Sequence, residues 1–161
     1  MEKTRPASGV DLVALLRARE PLVYWSVTEE ERALALLKQA ASDEGLSLRT
    51  WSCLKGLDEV PESEDLVVAL RTLLDEERSE VLVLADVDSE LERPQVLRGL
   101  RDLARREGQR TVILLGRLVE VPPELRPEAV LLTQPPPTRE DILQLLRERV
   151  LDLPFGTLSK A

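Results

Sequence analysis

The chain has 161 residues, 43% of them hydrophobic and 32% charged, enough for one domain with a packed core, and it carries a net charge of −8 with a pI near 4.8. That balance offers neither nucleic acid nor an anionic membrane a charge complement as main partner. With no histidine and a single cysteine, Cys53, the chain has no His-based triad or general base, no intrachain disulfide and no zinc site of the usual Cys/His kinds.

The start Met1-Glu2-Lys3-Thr4-Arg5-Pro6 lacks the apolar stretch of a signal peptide. No apolar run approaches the ~20 residues of a membrane span. The expectation is a cytoplasmic protein whose first eight residues are loosely held. Asp11 to Arg19 reads as a leading helix, with Leu12, Leu15 and Leu16 on one face and Ser8 and Asp11 at capping-box spacing. Leu22–Val27 is a first strand. From Thr28 a helix runs to about Ser42, with Ala33, Leu36, Leu37, Ala40 and Ala41 in one apolar stripe. Ser47–Cys53 is a second strand, less apolar and therefore expected near an edge. A loop with Gly56 and Pro61 leads to a helix over Asp65–Glu77.

Glu80 to Asp86 is the strongest strand, continuously apolar from Val81 to Ala85 and expected to be covered on both faces. Arg93–Arg106 is a helix that Gly108 stops. Thr111–Leu115 and Ala129–Thr133 are the fourth and fifth strands, joined by a proline-bearing connection. Pro135-Pro136-Pro137 ends the last strand, and Thr138 opens a final helix to Val150 through Ile142, Leu145, Leu146 and Val150. Strands alternating with helices imply a parallel sheet between two helical layers. The expected domain is one α/β core over residues 9–150, with flexible ends at 1–8 and 151–161.

Ligands in such sheets bind beyond the carboxyl ends of the strands. The turn after the first strand has no glycine and no lysine; it carries Glu29-Glu30-Glu31 instead. A phosphate site there needs converging backbone N–H groups, and a phosphate would meet like charge at the positive end of the helix dipole. Thr28 and Glu31 have the T-x-x-E spacing of a capping box, which explains the pattern without a ligand. Asp86 ends an apolar strand as the acid of a Walker B strand does, but Val87 follows where a water-activating glutamate would stand. Glu30, Asp86 and Asp88 are hard oxygen donors of the kind Mg²⁺ takes; strand-end acids are common, and the favoured reading of them is cap and loop carboxylates. Trp25 and Trp51 fall near strand ends and read as rim-of-core residues. Cys53 reads as a small buried apolar residue rather than a reactive thiol. Arg98, Arg101, Arg105 and Arg106 lie on one helix among acids, a solvated charged face or a surface for an acidic partner segment.

Several motifs in order resemble one family. They are Asp11-Leu12 in the leading helix, Thr28-x-Glu30-x-Arg32 after the first strand, Trp51 with Gly56, and the Asp86 strand end. Leu97-Arg98-x-Leu100-Arg101-Asp102-Leu103 and Val121-Pro122-Pro123-Glu124-Leu125 complete the set. Over residues 10–150 the chain resembles the degenerate N-terminal domain of AAA+ ATPases of plastid and cyanobacterial type, which also occur in bacteria. The resemblance implies an ATPase-like core without a working phosphate loop, with a competent AAA+ module following it in the family. The sequence at hand reaches Ala161 before such a module, so the family's ATPase activity is not carried over to it. Leu115-Gly116 also lacks the polar residue that AAA+ proteins place at the end of the fourth strand.

The implied fold is a three-layer α/β sandwich with a five-stranded parallel sheet, P-loop NTPase-like in the order 5-1-4-3-2. The alternative is the flavodoxin-like order 2-1-3-4-5 of a degenerate response-regulator receiver, in which Asp86 would be the phospho-acceptor but Gln134 replaces the required lysine. The expected function is a non-catalytic module, not an enzyme, that binds a protein partner such as an AAA+ ATPase or a larger assembly, with no cofactor and no metal. The candidate interaction cluster is Thr28, Glu30, Arg32, Trp51, Asp86, Asp88, Arg98 and Arg101.

Overall fold

A computed structural model describes residues 4–6, 9–106, 110–117, 121–134, 136–140, 142–143 and 146–147. Its elements, in chain order, are β1 (Thr4–Pro6), α1 (Gly9–Ala18), β2 (Leu22–Ser26), α2 (Glu30–Asp43), β3 (Ser47–Ser52), β4 (Gly56–Leu57), α3 (Leu66–Asp75), β5 (Glu80–Leu84), a 3-10 turn (Glu90–Glu92), α4 (Pro94–Ala104), β6 (Arg110–Gly116) and β7 (Ala129–Thr133). The sheet has seven strands in the order β1-β7-β2-β6-β5-β3-β4. All neighbours run parallel except β4, which pairs antiparallel with β3.

The five strands expected from sequence are β2, β3, β5, β6 and β7, and they lie in the order 5-1-4-3-2. This is the P-loop NTPase-like arrangement. The flavodoxin-like alternative is overturned, because β2 sits between β7 and β6 rather than beside β3 and β5. Two short strands were not expected. β1 adds Thr4–Pro6 to the outer edge of β7, so this part of the leading segment belongs to the sheet. β4 closes the other edge, placing β3 one strand inside it. Gly108 and much of the final helix lie outside the described residues; Arg139, Glu140, Ile142, Leu143, Leu146 and Arg147 are described and helical.

A parallel sheet must be covered on both faces, since crossover helices lie there. The pleat then sends alternate side chains into different cores. Leu22 and Tyr24 of β2, Leu82 and Leu84 of β5, and Val112 and Leu114 of β6 join α3 and α4 in one cluster. Val23 and Trp25, Val81 and Val83, and Ile113 and Leu115 join α1 and α2 in the other. Trp25 and Trp51 are not rim residues: their relative exposures are 0% and 1%. With almost no other aromatic side chain available, the two indoles fill volume that aliphatic residues leave between helix and sheet.

Trp51 is also tied to the β3–α3 loop. Its indole N–H donates to the Ser63 carbonyl at 2.8 Å, while the Ser63 hydroxyl accepts from Leu57 N and donates to the Val60 carbonyl, each at 2.7 Å. Gly56, at φ +71°, lets this loop close: a Cβ there would stand 2.6 Å from Ser63 Oγ and 3.0 Å from its backbone carbonyl carbon.

The amino ends of β3, β5 and β6 carry a buried ion network that the strand patterns did not announce. Arg49 donates to Glu80 from Nε at 2.7 Å and from Nη2 at 2.8 Å, and to Glu76 from Nη2 at 2.5 Å. Arg110 brings Nε to 2.9 Å from Glu80 and donates from Nη1 to the Leu73 carbonyl at 2.7 Å. The Glu80 side chain is 1% exposed. Its hydrogen bonds raise Arg49 above the ordinary guanidinium value against the pull of burial. For Arg110 burial wins and lowers it.

Removing Glu80 would leave two buried arginines with only Glu76 to compensate them. Glu80→Ala should therefore cost about 3–5 kcal/mol, read from urea unfolding; an unchanged midpoint would show the network to be energetically idle. Partial burial pulls the Glu76 carboxyl up, but the Arg49 hydrogen bond, with the charges of Arg49, Arg78 and Arg110, holds it below its ordinary 4.5. A carboxyl depressed in the folded state contributes stability above its ordinary value and loses it as pH falls through the folded value. Stability should thus drop below about pH 4.5 and less steeply in Glu76→Gln, as measured by acid titration of the unfolding free energy. Gly56→Ala should destabilise by more than about 1 kcal/mol, through both the left-handed φ and the Ser63 clash.

Candidate functional site

The carboxyl ends of β2, β5, β6 and β7 converge at one edge of the sheet. A cleft of about 110 Å³ opens there, lined by Val27, Thr28, Glu30, Asp86, Asp88, Leu115, Gly116 and Arg117. Four of the eight expected cluster residues, Thr28, Glu30, Asp86 and Asp88, meet in it. The other four do not. Arg32 is half-buried along α2, Trp51 is buried in the α3–α4 core, Arg101 is half-buried on α4, and Arg98 lines a separate groove between α3 and α4. Trp51 is therefore corrected from a candidate contact residue to a core residue, its indole N–H already spent on Ser63.

Inside the cleft the polar groups are largely satisfied by one another. Asp88 accepts from the Tyr24 hydroxyl at 2.9 Å through Oδ1 and from Arg117 N at 2.9 Å through Oδ2. Gly116 permits this pairing, since a Cβ at that position would stand 2.2 Å from the Tyr24 hydroxyl and 2.3 Å from Asp88 Oδ1. At the carboxyl end of β6, where the sequence showed no polar residue, a side chain at Gly116 thus has no room. Asp86 is exposed and left-handed at φ +56°, a conformation that a short acid tolerates better than most residues. Its Oδ2 accepts from Cys53 Sγ at 3.6 Å; Cys53 is exposed, which corrects the buried position expected for it from sequence. Desolvation first, and then the Asp86 carboxylate, push the Cys53 thiol up, away from the thiolate needed for reactivity. Among the described residues no three His, Cys, Asp or Glu side chains are arranged to hold a metal ion, so Glu30, Asp86 and Asp88 share a cleft without forming a ligand set.

The expected capping box is replaced by a different device. α2 begins at Glu30 with Glu29 as N-cap, and no side chain of the N-cap itself bonds the helix. Gln134, just past β7, supplies the acceptor. Its Oε1 receives Thr28 N and Glu29 N, each at 3.0 Å, and Thr28 Oγ1 at 3.4 Å; its Nε2 donates back to the Glu29 carbonyl at 3.3 Å. Gln134 is only 7% exposed. Backbone N–H groups at a strand-to-helix turn are among the donors that a phosphate site draws on. In this chain they converge on an uncharged oxygen of the chain itself.

Sequence reading placed Gln134 at the end of the last strand but had no signal for its partner, because the contact spans more than a hundred residues. Tyr24 was hidden for the opposite reason: it reads as one more apolar strand residue. Gln134→Ala would leave the Thr28 and Glu29 donors without their acceptor. It should cost about 1–2 kcal/mol, the range of a lost helix cap, and speed amide exchange at those two positions; unaltered exchange would refute the role given to Gln134.

Residues 9–134 match the family model described as SpoVK-like AAA ATPase, N-terminal domain. Among solved structures, that of Rhizobiales Trip13 aligns over 79% of this chain and 49% of its own, at 19% identity and a TM-score of 0.47, so the chain spans about half the length of that protein. A comparison with curated proteins gives no match. Among the described residues no helix is long and apolar enough to cross a membrane. The family model covers most of the chain, including all the elements from α1 to β7: the chain belongs to the family of SpoVK-like AAA ATPase N-terminal domains.

Proposed function

We propose that this domain is a non-catalytic, pseudo-ATPase version of the AAA+ core that acts in the cytoplasm through protein–protein contact, regulating or scaffolding a partner such as an AAA+ ATPase or a larger assembly. One observation carries the reading: the Thr28 and Glu29 amides, which a nucleotide phosphate would need, are bound to Gln134 Oε1. Three further features support it. Glu29, Glu30 and Glu31 crowd the same helix start with negative charge. The turn has no lysine to neutralise a phosphate. Asp86, the Walker B-like acid, is followed by Val87, which is fully buried and cannot activate water.

A domain that has kept its packed core and lost its ligand retains surfaces as its means of action. The β1 and β4 edges and the outer faces of α3 and α4 are the places where another chain can meet it. The reading is tested by calorimetric titration of Mg²⁺ with ATP and with ADP, alongside a turnover assay. No heat of binding and no hydrolysis are expected. A Kd in the low micromolar range, or turnover that Asp86→Ala abolishes, would overturn it.

A further inference from the structure

On the face opposite α1 and α2, the helices α3 and α4 leave between them a groove of about 430 Å³, lined by Val67, Leu70, Arg71, Leu74, Pro94, Gln95, Arg98, Gly99 and Asp102. Its floor is apolar. Gly99 brings α4 so near α3 that a Cβ there would stand 3.0 Å from Leu70 Cδ1, which seats Leu70 at the bottom. On the same outer helix surface Val68 leaves 41% of its area exposed.

The charged residues lining this groove are Arg71, Arg98 and Asp102. Arg17, Arg78, Arg93 and Arg105 each reach an acid on another segment: Glu44, Glu59, Asp65 and Glu128. The two groove arginines do not. Arg71, on α3, is exposed and makes no ion pair among the described residues, acting on Asp65 only through its field. Arg98, on α4, is 68% exposed and pairs only with Asp102 of its own helix, one turn away. Exposed pairs of that spacing contribute a few tenths of a kcal/mol at most and are readily exchanged for another carboxylate. In a chain of net charge −8, the two arginines on opposite walls of this groove outnumber the one acid of its lining, Asp102.

We infer that this groove docks an amphipathic, acidic helix of a partner protein. Its aliphatic side chains would enter between Leu70 and Leu74, and its carboxylates would meet Arg71 and Arg98. A third helix laid along two packed helices is an established way of recognising an apolar stripe, and opposite charges at the rim set its specificity. The inference deepens the protein-binding reading above and rests on it.

The probe is a labelled peptide of about 14 residues with leucine at i, i+3, i+4 and i+7 and glutamate at the flanking positions, beside a matched peptide with lysine for glutamate. Fluorescence polarisation measures affinity, and amide chemical shifts locate the contact. The glutamate peptide should shift resonances of α3 and α4 around Leu70 and Gly99. The double variant Arg71→Glu, Arg98→Glu should lower its affinity at least about tenfold and raise that of the lysine peptide. Both positions are exposed, and an unchanged unfolding midpoint verifies that the variant is folded. Equal binding of the two peptides, shifts confined to other elements, or indifference to the charge reversal would each overturn the groove assignment. The nucleotide titration separates the two claims: if nucleotide stays unbound and the peptide fails, only the groove assignment falls.

Discussion

Everything in this molecule depends on three strands, β2, β5 and β6, buried on both faces at the centre of a parallel sheet. A strand so placed cannot hide polar side chains on a wet side, so each one feeds two cores in alternation, and the helices must lie on both faces to receive them. The same constraint explains why the exceptions gather at strand ends. Charge is admitted only where a strand enters or leaves the sheet. At the amino end, Glu80 sits between Arg49 and Arg110. At the carboxyl end, Asp88 takes the Tyr24 hydroxyl and Gln134 takes the amides of the following turn.

The two ends differ in chemistry. At the amino end full charges compensate one another in a nearly dry setting, where each ion is costly to bury alone but cheap beside its partner. At the carboxyl end neutral donors meet the Asp88 carboxylate and the Gln134 amide oxygen, and among the described residues no buried cation stands opposite them. An active nucleotide site inverts this: it leaves donors unspent in the free protein so that a ligand can take them. At the carboxyl edge described above, the Thr28 and Glu29 amides are taken by Gln134, while the groove between α3 and α4 has an apolar floor with Arg71 and Arg98 on its walls.

Much of the fold was legible because it is written in local pattern. The continuous apolar run from Val81 to Ala85 marked a central strand, and the stripes through Leu37 and Leu100 marked helices that cover it. The strand order followed from the family resemblance and is upheld by the pairing of β2 with β6 and β7. Less was legible at the site. Thr28 and Glu31 have the spacing of a capping box, yet the helix starts one residue later than the motif requires, and a distant amide, Gln134, takes the Thr28 and Glu29 donors. Trp51 looked like a surface aromatic at a strand end; burial follows from β4, a two-residue strand too short to leave a sequence pattern. Glu80 was legible only as the first residue of its strand, since nothing local reveals that Arg49 and Arg110 will lie beside it. Contacts between residues far apart in sequence, made by side chains whose type allows several environments, are what periodicity does not encode.

The Gln134 contact also sets how the domain responds to its surroundings. A donor pair satisfied by a dissolved ligand is occupied in proportion to that ligand's concentration, and its stability rises and falls with supply. A donor pair satisfied by a side chain of the same chain sees an acceptor at an effective concentration fixed by covalent structure. The turn into α2 is therefore tied to the end of β7 by the chain itself, and the acceptor is present at the same effective concentration in every copy of the folded domain.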